Sequence, residues 1–236
     1  MKKTKYIWQN GKFILWDDAT IHTLSHGLHY GSGAIDGLRC YYSEGTTWVR
    51  NLDQHTDRFF ASAQSIALKL PFTPEDFKQT IIDLLIKNQL KEGYIRPFAC
   101  YGYDNLKVGT HSPPCHLSIA CWPWENYHNQ NGLKVTICDE IRLGSNTTRP
   151  KAKLSGQYIN RIIGTLQHNH EPGQAPLLLD DKGYIAEGVS ENFFMVIDNT
   201  LLTPKNHAIL PGITRHLVMV LAAQAGYCVE ERNLSP

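Results

Sequence analysis

Two short, mainly apolar runs near the start of the chain, Tyr6-Ile7-Trp8 and Lys12-Phe13-Ile14-Leu15, flank the polar pair Asn10-Gly11. Asn-Gly tolerates the left-handed backbone of a tight two-residue turn, so this stretch predicts a β-hairpin. A second hairpin is expected from Gly37 to Tyr42 and Thr46 to Arg50, about Ser43-Glu44-Gly45. The period then changes. Leu52, His55, Phe59, Ala63 and Ile66 recur at helical spacing. Thr73 followed by Pro74, Glu75 and Asp76 starts a further helix, with Phe77, Ile81, Leu84 and Leu85 as its apolar face. Strand-like runs follow at Tyr94 to Tyr101 and His116 to Trp122. The polar stretch Asn126 to Gly132 reads as a linker.

Beyond it, Leu133 to Cys138 predicts a strand and Gly156 to His168 a helix. Leu177 to Leu179, Tyr184 to Ala186, Asn192 to Ile197 and Thr200 to Leu202 predict strands joined by Asp-Lys-Gly and Asp-Asn turns. A last helix runs from Thr214 to Ala225 and stops at Gly226. Helices and hairpins mix throughout, which places the chain in the α+β class. Two domains are expected, residues 1–125 and 133–236 joined by 126–132, around a mainly antiparallel sheet and a barrel-like second half.

Composition narrows the function classes. The 236 residues are 42% hydrophobic and 19% charged with a formal net charge of +1, so the chain has enough apolar material for a core. Its scattered Lys and Arg argue against nucleic acid or an anionic membrane as partner. No apolar run reaches membrane-spanning length, and Gln9 to Lys12 interrupt any signal-peptide core. The six cysteines include no Cys-x-x-Cys pair and fall mostly in strand-like runs, which reads as buried reduced thiols in a cytoplasmic protein, with metal binding the lesser alternative. The eleven histidines lack metal-ligand spacing.

Three segments carry candidate chemistry. Lys151-Ala152-Lys153-Leu154-Ser155-Gly156-Gln157-Tyr158 sets a lysine before small residues at a strand-to-helix passage, where an aldehyde-bearing ring has room to approach. Tyr184-Ile185-Ala186-Glu187-Gly188-Val189-Ser190-Glu191 offers a carboxylate able to keep a pyridine nitrogen protonated. Pro211-Gly212-Ile213-Thr214-Arg215 opens a helix, whose free N–H groups and dipole form an anion site. Each has an ordinary alternative: a lone Lys or Glu is usually a solvated charge, and a helix start needs no ligand.

Taken together and in this order, the segments resemble the fold-type IV pyridoxal-phosphate aminotransferases, and most closely the branched-chain amino acid aminotransferases. The resemblance runs from the first hairpin to Gly226. It implies a small α/β N-terminal domain and a larger barrel-like C-terminal domain, with pyridoxal 5'-phosphate as cofactor. It makes Lys153 rather than Lys151 the catalytic lysine, and Glu187 rather than Glu191 the partner of the ring nitrogen. It assigns Tyr158 to the cofactor's ring oxygen, and Arg58, Ile213 and Thr214 to its phosphate. His29-Tyr30-Gly31-Ser32-Gly33-Ala34-Ile35-Asp36-Gly37-Leu38-Arg39 and Tyr94-Ile95-Arg96-Pro97 match substrate-side segments of the family. They imply that Tyr30, Ile35, Tyr94 and Arg96 line the substrate site, with Arg96 favouring the side-chain carboxylate of glutamate.

Ile35 stands where the family usually has an aromatic residue and Asp36 where it has glutamate, so the pocket is expected to be reshaped. The implied reaction is transamination of Leu, Ile and Val with 2-oxoglutarate, in a homodimer or higher homo-oligomer with small-molecule partners. The chain stops at Asn233-Leu234-Ser235-Pro236, before a Ser-Gly-Thr-type turn expected from the family, and so reads as C-terminally incomplete. Two alternatives stay open. One is another fold-type IV activity, such as a D-amino acid or amine transaminase or an aminodeoxychorismate lyase. The other is a cofactor-binding protein without turnover.

Overall fold

The computed structural model describes residues 2–109, 113–124, 132–141, 144, 146, 149–168, 174–205 and 207–236. The chain divides into two compact units. The first is Met1–Glu125 with Ala152–Gly156, and the second is Asn126–Lys151 with Gln157–Pro236. The expected linker, Asn126 to Gly132, lies outside the described residues except for Gly132.

The first unit is a seven-stranded antiparallel sheet. Its strands are β1 (Tyr6–Gln9), β2 (Lys12–Leu15), β3 (Gly33–Ile35), β4 (Leu38–Ser43), β5 (Thr46–Val49), β6 (Gly93–Tyr101) and β7 (Cys115–Trp122), in the order β2-β1-β7-β6-β4-β5 with β3 on β6. Asn10 and Gly11 both have positive φ, as the β1–β2 turn requires. A short helix, α1 (His26–Tyr30), and strand β3 precede the second hairpin, and periodicity predicts neither. At five and three residues they are too short to complete a repeat.

Helices α2 (Leu52–Ser65) and α3 (Pro74–Lys87) supply the core opposite the sheet. The start of α3 is fixed by a capping box in which Thr73 and Asp76 bond each other's backbone N–H. Phe59 and Phe77 stack at 5.1 Å and pack with Ile81, Leu84, Ile95, Leu117 and Ile119, all fully buried. In β6 burial alternates, so Ile95 faces this core while Tyr94 and Arg96 turn to the other face.

The second unit differs from the expected barrel-like half. Its described residues form two open three-stranded sheets and no closed barrel. One orders β10 (Ile185–Gly188), β9 (Gln174–Leu179) and β8 (Lys134–Ile141); the other orders β11 (Met195–Ile197), β12 (Thr200–Pro204) and β13 (Cys228–Arg232). Strands β8 and β9 are parallel, as are β12 and β13. The reason is connectivity. Parallel neighbours need a long crossover, supplied by α4 (Ile159–His168) for the first pair and α5 (Ile213–Gln224) for the second. Leu177, Ile185, Leu202 and Leu234 form the buried core of this unit. Among the described residues no helix is long and apolar enough to cross a membrane, and no cluster of His, Cys, Asp or Glu is placed to hold a metal.

No disulfide joins any of the six cysteines. Burial pushes the Cys100 and Cys121 thiols up to about 12 and Cys40 to about 11, whereas Cys228 lies exposed on β13. At mildly alkaline pH an alkylating reagent should therefore modify Cys228 rapidly and leave Cys40, Cys100 and Cys121 unreacted until the protein unfolds. Peptide mapping of native and denatured samples distinguishes these, and equal rates at all four would contradict the buried placement.

Candidate functional site

In the first unit, Lys153 is held by its main chain. Its N–H donates to Ser62 Oγ on α2 at 2.9 Å, and its carbonyl accepts from the Ile35 N–H on β3 at 3.0 Å. Ala34 and Leu154 form an antiparallel bridge alongside. The segment then turns on Ser155, whose hydroxyl donates to the Gly31 carbonyl at 3.0 Å, while the Gly156 N–H reaches the same oxygen at 3.1 Å. Two glycines make this contact possible. A Cβ on Gly31 would come within 2.6 Å of Gly156 Cα, and Gly31 itself has φ +62°. Lys153 is half-buried and Lys151 is exposed.

Arg58 sits on α2 and forms a fork with Asp36. Its Nε reaches Oδ2 at 2.8 Å and its Nη2 reaches Oδ1 at 2.7 Å, which leaves Nη1 outside the fork. His55 Nδ1 lies 2.8 Å from the same Oδ1. Asp36 has no exposed side-chain surface. Burial pushes its carboxyl up, but the hydrogen bonds from His55 and Arg58 and the Arg58 charge outweigh that and hold it down at about 2.

On the sheet face away from the helices, Arg96 Nη2 donates to the Tyr94 hydroxyl at 2.9 Å. The Tyr94 ring stacks on Trp124 at 4.7 Å. Arg39, paired with Tyr94 across the strands, lies over Trp124 at 5.6 Å and over Tyr41 at 5.3 Å. The Nε atoms of Arg39 and Arg96 are buried without a hydrogen-bond partner among the described residues. Gly37 is required here because a Cβ would fall 1.8 Å from the Tyr94 hydroxyl oxygen. This cluster of two guanidiniums and aromatic rings is suited to an anion carrying an apolar stem. Arg39 receives no role from the sequence; its pairing with Tyr94 across the register is what reveals it. Tyr30, at the end of α1, is half exposed and donates to the Leu106 carbonyl at 3.1 Å.

In the second unit, Glu187 is 3% exposed. Arg161 Nη2 bonds its Oε1, and the Leu210 N–H donates to Oε2 at 3.0 Å. Two residues beyond Leu210, Gly212 caps the start of α5 with extended backbone and no side-chain cap. A Cβ here would lie 1.9 Å from Asn192 Oδ1, so the Asn192 side chain would have to move. Ile213 and Thr214 thus begin α5 with N–H groups aligned on its dipole. Arg215 of the same motif serves the fold: it is buried, with Nη2 on the Pro204 carbonyl at 2.8 Å and on Glu231 at 3.0 Å. Glu191 is exposed and accepts from the Ser190 N–H at 3.0 Å, so burial separates it from Glu187. Tyr158 closes a 3-10 turn, Ser155–Tyr158, that leads into α4. Arg161 carries no signal in the sequence, where it is one more helical arginine.

The family model for amino-transferase class IV matches residues 33–236. The chain belongs to that family. Among curated class IV aminotransferases it is 34% identical over 233 residues to the branched-chain-amino-acid aminotransferase of Pseudomonas aeruginosa, covering 97% of this chain and 76% of that one. Among solved structures it matches the branched-chain amino acid aminotransferase of Escherichia coli at a TM-score of 0.93 and 33% identity, covering 99% of this chain and 79% of that one. It also matches the T.th. branched-chain amino acid aminotransferase with pyridoxamine 5'-phosphate at a TM-score of 0.94 and 31% identity, covering 100% and 79%. The same T.th. enzyme complexed with N-(5'-phosphopyridoxyl)-L-glutamate matches at 0.93 and 31%, covering 100% and 78%. The α+β class and the likeness to fold-type IV structures hold throughout this class IV chain.

The Asp36 fork sets a pH dependence. Its folded-state pKa of about 2 lies below the ordinary 3.8, so its contribution is present above the higher value and lost as pH falls through the lower one. The shift corresponds to roughly 2 kcal/mol at neutral pH. Asp36→Asn, which leaves Arg58 without its carboxylate, should cost about 2–4 kcal/mol near neutrality. Its urea-unfolding free energy should also lack the fall that the unsubstituted protein shows as the carboxyl protonates. Parallel curves for the two proteins would assign the acid response to other groups.

Proposed function

We propose that this class IV chain transaminates branched-chain L-amino acids (Leu, Ile and Val) with 2-oxoglutarate, using pyridoxal 5'-phosphate. The observation that carries the reading is the tie from the buried Glu187 carboxylate through the Leu210 N–H to the uncapped start of α5. A cofactor with a basic ring nitrogen at one end and a phosphate at the other needs an acid and an anion site in one rigid frame, so this donor set fits it. The branched-chain name of the relatives and the pyridoxamine phosphate and phosphopyridoxyl-glutamate held by the T.th. enzyme support the same choice.

When bound, the cofactor supplies an aldehyde that condenses with amines and a protonated ring that draws electron density from the substrate Cα. Lys153 Nζ would be the amine that holds the cofactor's aldehyde group and, when free, the base for the proton at the substrate Cα. Its main chain, fixed by Ser62 and Ile35, limits where that amine reaches. Glu187 accepts the ring N–H, and the Tyr158 hydroxyl serves the ring oxygen. Ile213, Thr214 and the Arg58 guanidinium bind phosphate. On the substrate side, Tyr30, Ile35 and Tyr94 offer apolar surface, and Arg96 takes the side-chain carboxylate of glutamate. The same reading includes two domains dividing near residue 125, a cytoplasmic location and assembly as a homodimer or larger homo-oligomer.

Borohydride reduction of the cofactor-loaded protein followed by peptide mapping should place the phosphopyridoxyl group on Lys153; labelling of Lys151 would overturn the assignment. Arg96→Leu should slow the 2-oxoglutarate half-reaction by about a hundredfold while changing the leucine half-reaction far less, since a charge-assisted bond is lost only for the acidic side chain. Single-turnover absorbance of each half-reaction reads this. Equal losses, or a preference for D-alanine or aromatic amines, would remove the branched-chain assignment.

A further inference from the structure

Arg161 lies on α4, 5% exposed. Its Nη2 bonds Glu187 Oε1, its Nη1 donates to the Val189 carbonyl at 3.0 Å, and its guanidinium lies over the Tyr158 ring at 4.7 Å from the centre. One side chain thus straddles the end of β10 and touches both residues assigned to the cofactor ring. Its Nε is buried without a hydrogen-bond partner among the described residues. An arginine placed to satisfy its own five donors would not leave that one dry, so the acid and the Val189 carbonyl dictate where it sits.

The consequence is a competition for charge. A guanidinium does not surrender its proton in a protein, whereas a pyridine nitrogen does. Where both face one carboxylate, the arginine keeps its share in every state and the ring nitrogen is stabilised only by what remains. We propose that Arg161 is a positioning residue that clamps the Glu187 carboxylate and withholds part of its charge from the cofactor's ring nitrogen, moderating the electron sink. This rests on the reading that Glu187 faces that nitrogen.

The test loads the full chain with pyridoxal 5'-phosphate labelled with 15N in the ring and reads the ring-nitrogen resonance at fixed pH. In Arg161→Met the pyridinium becomes the main counter-charge of Glu187. Its resonance should move toward the protonated position, and the cofactor dissociation constant should fall about tenfold. Glu187→Gln should move the resonance the opposite way, and the double variant should match it. If Arg161→Met only lowers the unfolding temperature and leaves the resonance unmoved, the proposal is overturned while the role of Glu187 stands. If Glu187→Gln leaves the resonance unmoved, or the unsubstituted chain binds no cofactor, the underlying reading fails and the proposal with it. Should Arg161→Met not fold, Arg161→Lys keeps the charge without the fork. A smaller shift in the same direction supports the clamp, and an unchanged resonance overturns it.

Discussion

The Glu187 carboxylate takes Arg161 on one oxygen and the Leu210 N–H on the other, at a depth where an unpaired carboxylate would cost several kcal/mol. Much of the second unit is arranged to meet that need. Strand β10 carries the acid, α4 brings the arginine, and the segment before α5 brings the amide. The start of α5 is fixed as a result, because Leu210 also holds the Asn192 side chain through its carbonyl at 3.3 Å. The first unit meets the same constraint with different parts. Asp36 is buried by the sheet and answered by Arg58 and His55 from α2. Each unit therefore ties an acid to a helical arginine, Glu187 from strand β10 and Asp36 from the segment between β3 and β4, in addition to apolar packing.

What the sequence discloses depends on how local its cause is. The Asn10-Gly11 turn, the Thr73 cap of α3 and the apolar faces of α2 and α3 are decided within a few residues, and each is where the pattern puts it. The parallel pairing of β8 with β9 and of β12 with β13 is decided by crossovers, which periodicity does not report. Strand β13 escapes the pattern because Cys228–Arg232 is mostly exposed and carries no alternation.

The site divides in the same way. Lys153 stands out through its small neighbours, and the Gly31–Gly156 approach shows why those neighbours are small. Glu187 and Glu191 are equal candidates by composition, and burial separates them. The carboxylates that Arg58 and Arg161 bond lie 22 and 26 positions away, so no local pattern contains them. A helical arginine facing a buried acid looks in sequence like one facing water.

The strap Ala152–Gly156 belongs to the first unit, although Asn126–Lys151 of the second unit precede it in the chain. Its Ser155 docks on Gly31 across 124 positions. Chains leave the ribosome from the N-terminus and fold in that order, and contacts so distant in sequence form late. The seven strands and two long helices of the first unit can therefore assemble while Lys153 is still being translated. The lysine reaches its grip on Ser62 and Ile35 only after part of the second unit has been synthesised. A truncation before residue 152 would then give a sheet that keeps its core and lacks the strap that closes over it.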